Sequence, residues 1–283
     1  MLKQRIVTAL VLLALLLPTL FATSAWPFAL LTLVMIAAAG WEWARLNGLM
    51  GRYALLYGAL TAAICGLTLY SVGLRAMPAW VWWGVSLAWV LGGAQALRLG
   101  PAGWPHLGLT PRLLLGLLCL WAAWLAAAQA KAMGINFLLS IFCLVWIADI
   151  AAYFGGRTFG KHKLAVAISP GKSWEGVWSA VLGVVALALV WAFVIDRQVA
   201  VDAPSLYQLL FVKLGWLIAL LALMLLCSMS VVGDLFESLV KRAAGAKDSS
   251  ALLPGHGGVL DRIDALLPVL PLAMALAAHS RWL

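Results

Sequence analysis

Two stretches of this sequence, 176–195 and 214–233, each run for twenty residues without a charged side chain. A helix of about 20 apolar residues crosses the hydrocarbon core of a bilayer. Inside lipid, only helices and closed barrels satisfy every backbone polar group. With 65% hydrophobic and 10% charged residues in the whole chain, a soluble globular domain is excluded. The sequence therefore predicts an all-α polytopic membrane protein.

Apolar segments separated by short polar connections predict about nine transmembrane helices. The predicted spans are 6–22, 26–44, 53–74, 76–97, 113–130, 132–154, 176–195, 214–233 and 265–280. Lys3 and Arg5 precede the first span, and residues 22–25 have the small side chains of a signal-peptide cleavage site. We favour an uncleaved first helix, because a polytopic protein can use that helix as its insertion signal.

The distribution of basic residues predicts the orientation of the chain. Fourteen of the 19 Lys and Arg residues lie at the N-terminus or in the connections after the second, fourth, sixth and eighth spans. Because cytoplasmic loops are enriched in Lys and Arg, we expect a cytoplasmic N-terminus and an external C-terminus. The two most polar loops, 155–175 and 234–264, then share the cytoplasmic face. Topology and anionic ligands thus explain the net charge of +9, and no nucleic-acid partner is expected.

Polar residues concentrate in the second half of the chain. We therefore expect residues 1–135 to form a scaffold or dimerisation region and residues 136–283 to form the catalytic region. The four cysteines occur singly in apolar runs, without the spacing of a zinc site; they are Cys65, Cys119, Cys143 and Cys227.

Five of the ten acidic residues lie between Asp234 and Asp264. Asp261 and Asp264, spaced i and i+3, share a face of a helix that begins the last span. Adjacent carboxylates repel each other unless a cation neutralises them, and Mg²⁺ binds through one or two carboxylates plus substrate phosphates. The helix macrodipole also favours acids at a helix N-terminus, but the nearby Asp234 and Asp248 favour a metal site.

The segment 234–245 has the pattern of an amphipathic helix that continues the eighth span. Its polar residues recur at i, i+3, i+4, i+7 and i+8; they are Asp234, Glu237, Ser238, Lys241 and Arg242. This face is either solvated, with a Glu237–Lys241 pair, or it presents acids and bases to one site.

The loop 255–258 places His256 among three glycines. Glycines let a backbone approach a phosphate and turn its N–H groups toward it, although an ordinary turn after Pro254 also uses glycines. Lys247 and Arg262 on either side favour anion binding. His256 is then a candidate phosphate ligand or acid–base group.

The loop 155–176 supplies four cations, and the order Ser-Pro-Gly-Lys-Ser at 169–173 suits a phosphate-binding turn around Lys172. The positive-inside rule alone explains the charge of this loop but not that order. Asp149 stands in the preceding apolar run, where an ionisable group is costly and is a functional candidate. Two basic loops at a membrane surface, with a divalent ion, suit a nucleoside triphosphate. Phosphoryl or nucleotidyl transfer to a lipid is therefore indicated.

Residues 238–264, SLVKRAAGAKDSSALLPGHGGVLDRID, resemble the signature of the phosphatidate cytidylyltransferase family. Every fixed position of that pattern is met: S-x-x-K-R, four residues, K-D, and later P-G-H-G-G-x-x-D-R-x-D. The segments GDLFES, FGKHKLAVAISPGKSWEG and MLKQRIVTAL are also similar to bacterial members, so the likeness covers the whole chain. One departure is ADIAAY at 148–153, where Ile150 and Ala151 replace the family's Ser and Gly.

The resemblance implies that CTP and phosphatidate react to CDP-diacylglycerol and pyrophosphate. It also implies Mg²⁺ and a second cation that is monovalent, such as K⁺. It further implies a homodimer in the cell inner membrane, with an active site that faces the cytoplasm. The residues assigned to metal binding are Asp234, Asp261 and Asp264. The residues assigned to catalysis are these three with Lys241 and His256. The residues assigned to substrate binding are Asp149, Lys172, Ser173, Arg242, Lys247, Asp248, Gly257, Gly258 and Arg262. Two alternatives stay open: a CTP-dependent polyprenol or lipid kinase, and an anion or proton transporter that uses Asp149.

Overall fold

The computed structural model describes residues 2–279, which are mostly helical. Six long helices come first: α1 (Leu2–Phe21), α2 (Trp26–Leu46), α3 (Gly51–Val72), α4 (Ala79–Gly103), α5 (Leu109–Met133) and α6 (Ile135–Phe159). A hairpin of β1 (Lys163–Ala165) and β2 (Ser169–Ser173) leads into α7 (Trp174–Val190), a π-helical turn (Trp191–Ile195) and α8 (Asp196–Gln198). The chain ends with α9 (Leu206–Ala243), α10 (Leu260–Ile263) and α11 (Leu266–His279).

Seven helices in the described part of the chain are long and apolar enough to cross a membrane. They are α1, α2, α3, α5, α6, α7 with its continuation to Gln198, and α9. The predicted fourth span is α4, which is not one of these seven helices; it carries four tryptophans, several glycines and Gln95. The predicted ninth span is α11, only 14 residues long. The polytopic helical architecture is confirmed, and the number nine stays a prediction.

Helix α9 is longer than the predicted eighth span at both ends. Ser205 begins it as a side-chain cap that accepts a hydrogen bond from the Gln208 N–H at 3.1 Å. Gly215 has φ 73°, a conformation that favours glycine, and the helix axis breaks there. Beyond the apolar span the helix continues to Ala243. The predicted helical continuation over 234–245 is therefore confirmed as far as Ala243, and its cytoplasmic location stays a prediction.

Helices α6 and α7 pack closely through small residues. A Cβ atom added to Gly155 would lie 1.9 Å from Ser179 Oγ, and one added to Gly183 would lie 2.9 Å from Ala151 Cβ. Ala151, which replaces the family's glycine, therefore fits between these helices. The pair carries the β1–β2 hairpin, whose register joins Lys163 to Ser173. This small antiparallel sheet was not predicted from the sequence.

Helix α11 lies in the interior and packs against α4, α5, α6 and α9. These contacts cross residue 135, and the division into scaffold and catalytic regions stays a prediction. The two polar loops meet at one end of the helices, where Lys172 Nζ of β2 lies 2.6 Å from Asp234 Oδ2 of α9. The two loops therefore lie at the same end of the helices, and the cytoplasmic location of that end stays a prediction.

Candidate active site

Three carboxylates from different elements converge at this end of the helices. We call Asp149 of α6, Asp234 of α9 and Asp264, between α10 and α11, the carboxylate cluster. Burial raises the pKa of Asp264 to about 7, and the charges of Asp234 and Asp149 contribute to this increase. Lys172 is ion-paired with Asp234. Because the cluster has three carboxylates, this single ion pair offsets only part of its negative charge.

A cavity of about 570 Å³ opens beside two of these acids. Asp149 and Asp234 line it together with the cations Arg157, Lys163 and Lys172. We call it the carboxylate cavity. Acidic and basic side chains in one cavity suit a polyphosphate bound with a divalent cation. The basic side chains can pair with the phosphates, and the carboxylates can bind the cation. The structure thus brings together the predicted residues of α6, the 155–175 loop and α9.

Asp261 has different surroundings from the cluster, although it was assigned to the same metal. Its Oδ1 atom accepts from Lys241 Nζ at 2.6 Å. Its Oδ2 atom accepts from the backbone N–H groups of Ser249 at 2.9 Å and Gly258 at 2.8 Å. Burial raises the pKa of Asp261, but the hydrogen bonds from Lys241 and these loop groups outweigh burial and lower it to about 2. We call residues 244–259, which connect α9 to α10, the signature loop. Asp261 therefore holds the signature loop against α9.

Lys241 lies between two carboxylates. Its Nζ atom is 2.6 Å from Glu237 Oε2 and 2.6 Å from Asp261 Oδ1. The Glu237–Lys241 pair of the sequence analysis is confirmed, but it is not solvated, since the Glu237 side chain is 1% exposed. The pair is not completely partnered, because Glu237 Oε1 is buried and has no hydrogen-bond partner in the described part of the chain, which makes burial of this carboxylate costly. The polar face of the 234–243 helix is thus directed toward the site and not toward solvent. Of the two interpretations of this face, the structure favours the one in which it presents acids and bases to one site.

The signature loop turns through glycines that the backbone requires. Gly255 and Gly257 have φ angles of 78° and 85°, which strain any other residue. The Gly258 N–H is already donated to Asp261, so it is not free for a phosphate. The assignment of Gly257 and Gly258 to substrate stays a prediction, and the structure shows their part in forming the loop.

A second polar cavity of about 510 Å³ lies on the outer side of the signature loop. Its lining includes Lys247, Asp248, His256 and Arg262, together with Arg5 of α1. We call it the loop cavity. The sequence analysis used Arg5 only as a topological charge. No sequence pattern indicates that α1 contacts a loop that is so distant along the chain. A hydrogen bond from the Thr8 hydroxyl of α1 to Pro254 O, 3.0 Å long, fixes that contact.

Two other predicted binding residues have structural partners. Ser173 is buried and caps α7, accepting the Gly176 N–H at 3.2 Å. Arg242 donates to Ala246 O at 3.1 Å, just beyond the end of α9. Their assignment to substrate stays a prediction.

An apolar groove of about 190 Å³ runs between α1, α2, α5, α6 and the start of α11. Leu16, Thr32, Phe142 and Trp146 are among its lining residues, and Arg262 is its only cation in the described part of the chain. We call it the acyl groove. Since Arg262 also lines the loop cavity, one guanidinium connects an apolar surface with a polar one.

The donor set of the carboxylate cluster fits Mg²⁺, because hard carboxylate oxygens are grouped where negative charge is in excess. In residues 2–279, however, no three His, Cys, Asp or Glu side chains are arranged to hold one ion together. Substrate phosphates would have to complete the coordination. Protein donors occupy both oxygens of Asp261. Asp234 also has partners at both oxygens, Lys172 at 2.6 Å and Ser238 at 3.3 Å, so it would have to release Lys172 to a substrate phosphate in order to hold the ion. Asp264 Oδ1 accepts the Ala265 N–H at 2.8 Å, and its Oδ2 atom has no hydrogen-bond donor in the described part of the chain.

Fold and site together define a polytopic membrane protein with a cavity of acidic and basic side chains at one end of its helices. The model of the cytidylyltransferase family matches residues 3–279, and the chain belongs to this family. A phosphatidate cytidylyltransferase of Pseudomonas aeruginosa is 39% identical over 288 residues, which cover 100% of this chain and 99% of the relative. That of Haemophilus influenzae is 35% identical, with 96% of each chain covered. That of Brucella suis is 46% identical over 134 residues, 47% of this chain and 44% of the relative.

Proposed function

We propose that this protein transfers the cytidylyl group of CTP to phosphatidate, giving CDP-diacylglycerol and pyrophosphate. The observation that carries the proposal is the carboxylate cavity, where Lys172 of one loop pairs with Asp234 of α9 at 2.6 Å. Family membership and the names of the full-length relatives support the same reaction. The kinase and transporter alternatives have no such support.

The triphosphate of CTP is assigned to the carboxylate cavity. Lys172, Lys163 and Arg157 would pair with its phosphate oxygens, and Asp234 and Asp264 would hold Mg²⁺ against them. Bound there, Mg²⁺ supplies charge neutralisation for the reacting phosphates. A bound K⁺ is proposed on the family resemblance alone.

The lipid is assigned to the acyl groove. Its chains would lie against Phe142 and Trp146, and its phosphate would meet Arg262, the cation of the groove. Phe142 and Trp146 share a helix face with Asp149, because these positions are spaced i, i+4 and i+7 on α6. The groove therefore leads along α6 toward the carboxylate cavity.

The reaction is an in-line displacement. An oxygen of the phosphatidate phosphate forms a bond to the α-phosphorus of CTP, and the bond from that phosphorus to the β-phosphate oxygen breaks. The attacking oxygen is already anionic near neutral pH, so no strong base is needed. Positioning of the two phosphates and stabilisation of the departing pyrophosphate by Lys and Arg side chains then account for catalysis.

The surroundings of the reaction are part of the proposal. The excess of Lys and Arg on the predicted cytoplasmic connections supports an active site that faces the cytoplasm. The cell inner membrane and a homodimer are supported by the family resemblance.

The test is an assay of the purified protein in lipid nanodiscs with CTP labelled in the cytosine, phosphatidate and Mg²⁺. We expect labelled CDP-diacylglycerol and an equal amount of pyrophosphate, and no product when EDTA replaces Mg²⁺. Labelled CDP with a phosphorylated lipid would instead identify a kinase. Absence of any nucleotide turnover in active wild-type preparations would contradict the proposal.

A further inference from the structure

Glu42 lies near the end of α2, in the region expected to be scaffold, and its side chain is completely buried. Both carboxylate oxygens face the signature segment 249–260. Oε1 accepts from Ser250 Oγ at 2.5 Å and from the Val259 N–H at 3.0 Å. Oε2 accepts from the Leu260 N–H at 2.7 Å. One residue of the first half thus holds both ends of this segment.

Ser249 extends the contact to the site. Its hydroxyl lies 3.2 Å from Glu42 Oε2 and 2.8 Å from Asp261 Oδ2, and it has one proton to share between the two carboxylates. Asp261 in turn accepts from Lys241 of α9. A continuous polar network therefore runs from α2 through the signature loop to α9.

The glycine at position 258 is fitted to this network. A Cβ atom there would lie 2.3 Å from Glu42 Oε1 and 2.1 Å from Ser249 Oγ, far closer than atoms can approach. Only glycine lets the carboxylate of α2 reach the backbone of the loop.

Glu42 has no ion-pair partner in the described part of the chain. Among residues 2–279, the ion pairs involve other acids: Glu175, Asp234, Glu237 and Asp261. A buried carboxylate without a counter-ion is costly unless hydrogen-bond donors satisfy it. The backbone and hydroxyl donors of 249–260 fill that role, so the position of the loop and the burial of Glu42 depend on each other.

We propose that Glu42 is a positioning residue for the transfer reaction. It fixes the start of α10 and thereby the direction in which Arg262 and Asp264 project. These two residues receive the lipid phosphate and the metal in the proposed function, on which this inference rests. The first half of the chain therefore contributes to turnover through α2.

Glu42→Gln is a sharp test because the two side chains have the same shape. Each oxygen of Glu42 accepts one backbone N–H, from Val259 or Leu260. Whichever way the new amide turns, its NH₂ group faces a backbone N–H that cannot rotate away. The matched control is Gln129→Leu. Gln129 is also buried and holds the connection between α3 and α4, since its amide donates to Arg75 O and accepts the Met77 N–H. It lies near the C-terminal end of α5.

Both variants are assayed in nanodiscs beside the wild type. We expect Glu42→Gln to lower kcat about 100-fold, the effect of misplacing reacting groups by about 1 Å, with a smaller change in the KM for CTP. Gln129→Leu should keep wild-type kcat. Hydrogen–deuterium exchange provides a readout that does not need activity: the amides of 249–262 should exchange faster in Glu42→Gln only.

Three results would overturn the inference: wild-type kcat in Glu42→Gln, lost kcat with unchanged exchange at 249–262, or an equal loss of kcat in Gln129→Leu. If Glu42→Gln does not insert, Ser250→Ala removes a single donor and should show the same two effects at smaller size. Its failure to show them would overturn the inference equally. If the wild type makes no CDP-diacylglycerol, the proposed function fails, while the exchange measurement still decides whether Glu42 fixes the loop.

Discussion

At the scale of single residues, the charge balance of the carboxylate cluster depends on Lys172. This ammonium lies 2.6 Å from Asp234 Oδ2 and lines the same cavity as Asp149. Without substrate it reduces repulsion among the acids. In the proposed function it is the cation that pairs with a phosphate oxygen of CTP, since its side chain is only 25% exposed and already lies against the cluster.

We predict that Lys172→Met lowers kcat/KM for CTP about 100-fold, the usual effect of removing one preorganised charge partner. Lys213→Met is the matched control, since Lys213 is an exposed residue near the other end of α9. Steady-state CDP-diacylglycerol synthesis at varied CTP measures both. Equal activity of the two variants would remove Lys172 from the site.

Residue-level predictions from the sequence were most successful where charge alone carries the information. Lys172 of β2 and Asp234 of α9 belong to the two polar loops predicted from the sequence, and the positive-inside rule was enough to place those loops on the same side. The partners of Asp261 were not predictable, because two of its donors are backbone N–H groups that every residue has. Glu42 was invisible for the same reason: its partners lie more than 200 residues away and include two backbone amides.

At the scale of helices, α6 lines both the carboxylate cavity and the acyl groove. Its buried face packs on α7, and another face carries Phe142, Trp146 and Asp149 in sequence toward the polar end. A second apolar cavity of about 190 Å³ lies between α4, α5 and α9, and its described lining has no charged side chain. Arg262 therefore distinguishes the acyl groove from an ordinary gap between helices.

We predict that Thr32→Trp raises the KM for long-chain phosphatidate about tenfold, because two methylenes displaced from apolar contact cost about 1.6 kcal/mol. The KM for CTP and for dihexanoyl phosphatidate should change little. Gly92→Trp is the control, since Gly92 lines the second cavity, where a Cβ atom meets nothing within 4 Å. An equal effect of both substitutions would mean that the groove does not select the lipid.

At the scale of the whole molecule, the sequence was sufficient for the architecture and insufficient for its details. Seven of the predicted spans correspond to helices that are long and apolar enough to cross a membrane, since hydrophobic length is a local property. The interior position of α11 depends on packing against helices that are distant in the sequence, so no local pattern encodes it. The kink at Gly215 and the hairpin before α7 are local features, but the hydrophobic pattern indicates only an uninterrupted span at the first and a basic loop at the second.

Orientation is the remaining prediction at this scale, and two exposed positions test it. Lys161 follows α6, and Ala200 follows α8. Between them, the helical segment 174–198 has 25 residues and is about 37 Å long at 1.5 Å per residue, enough to separate the two positions by a bilayer. In cells whose cytoplasm is closed to the reagent, a maleimide that cannot cross lipid should therefore label a cysteine at 200 and not one at 161.

The experiment uses Lys161→Cys and Ala200→Cys separately, after Cys65, Cys119, Cys143 and Cys227 have been replaced by alanine. All four native thiols are buried or partly buried, so the replacements should preserve CDP-diacylglycerol synthesis, which is checked first. Lysis should make both positions reactive. If position 161 reacts in intact cells and position 200 does not, the excess of Lys and Arg lies on the external face. The carboxylate cavity would then open away from cytoplasmic CTP, and the proposed function would lose its substrate.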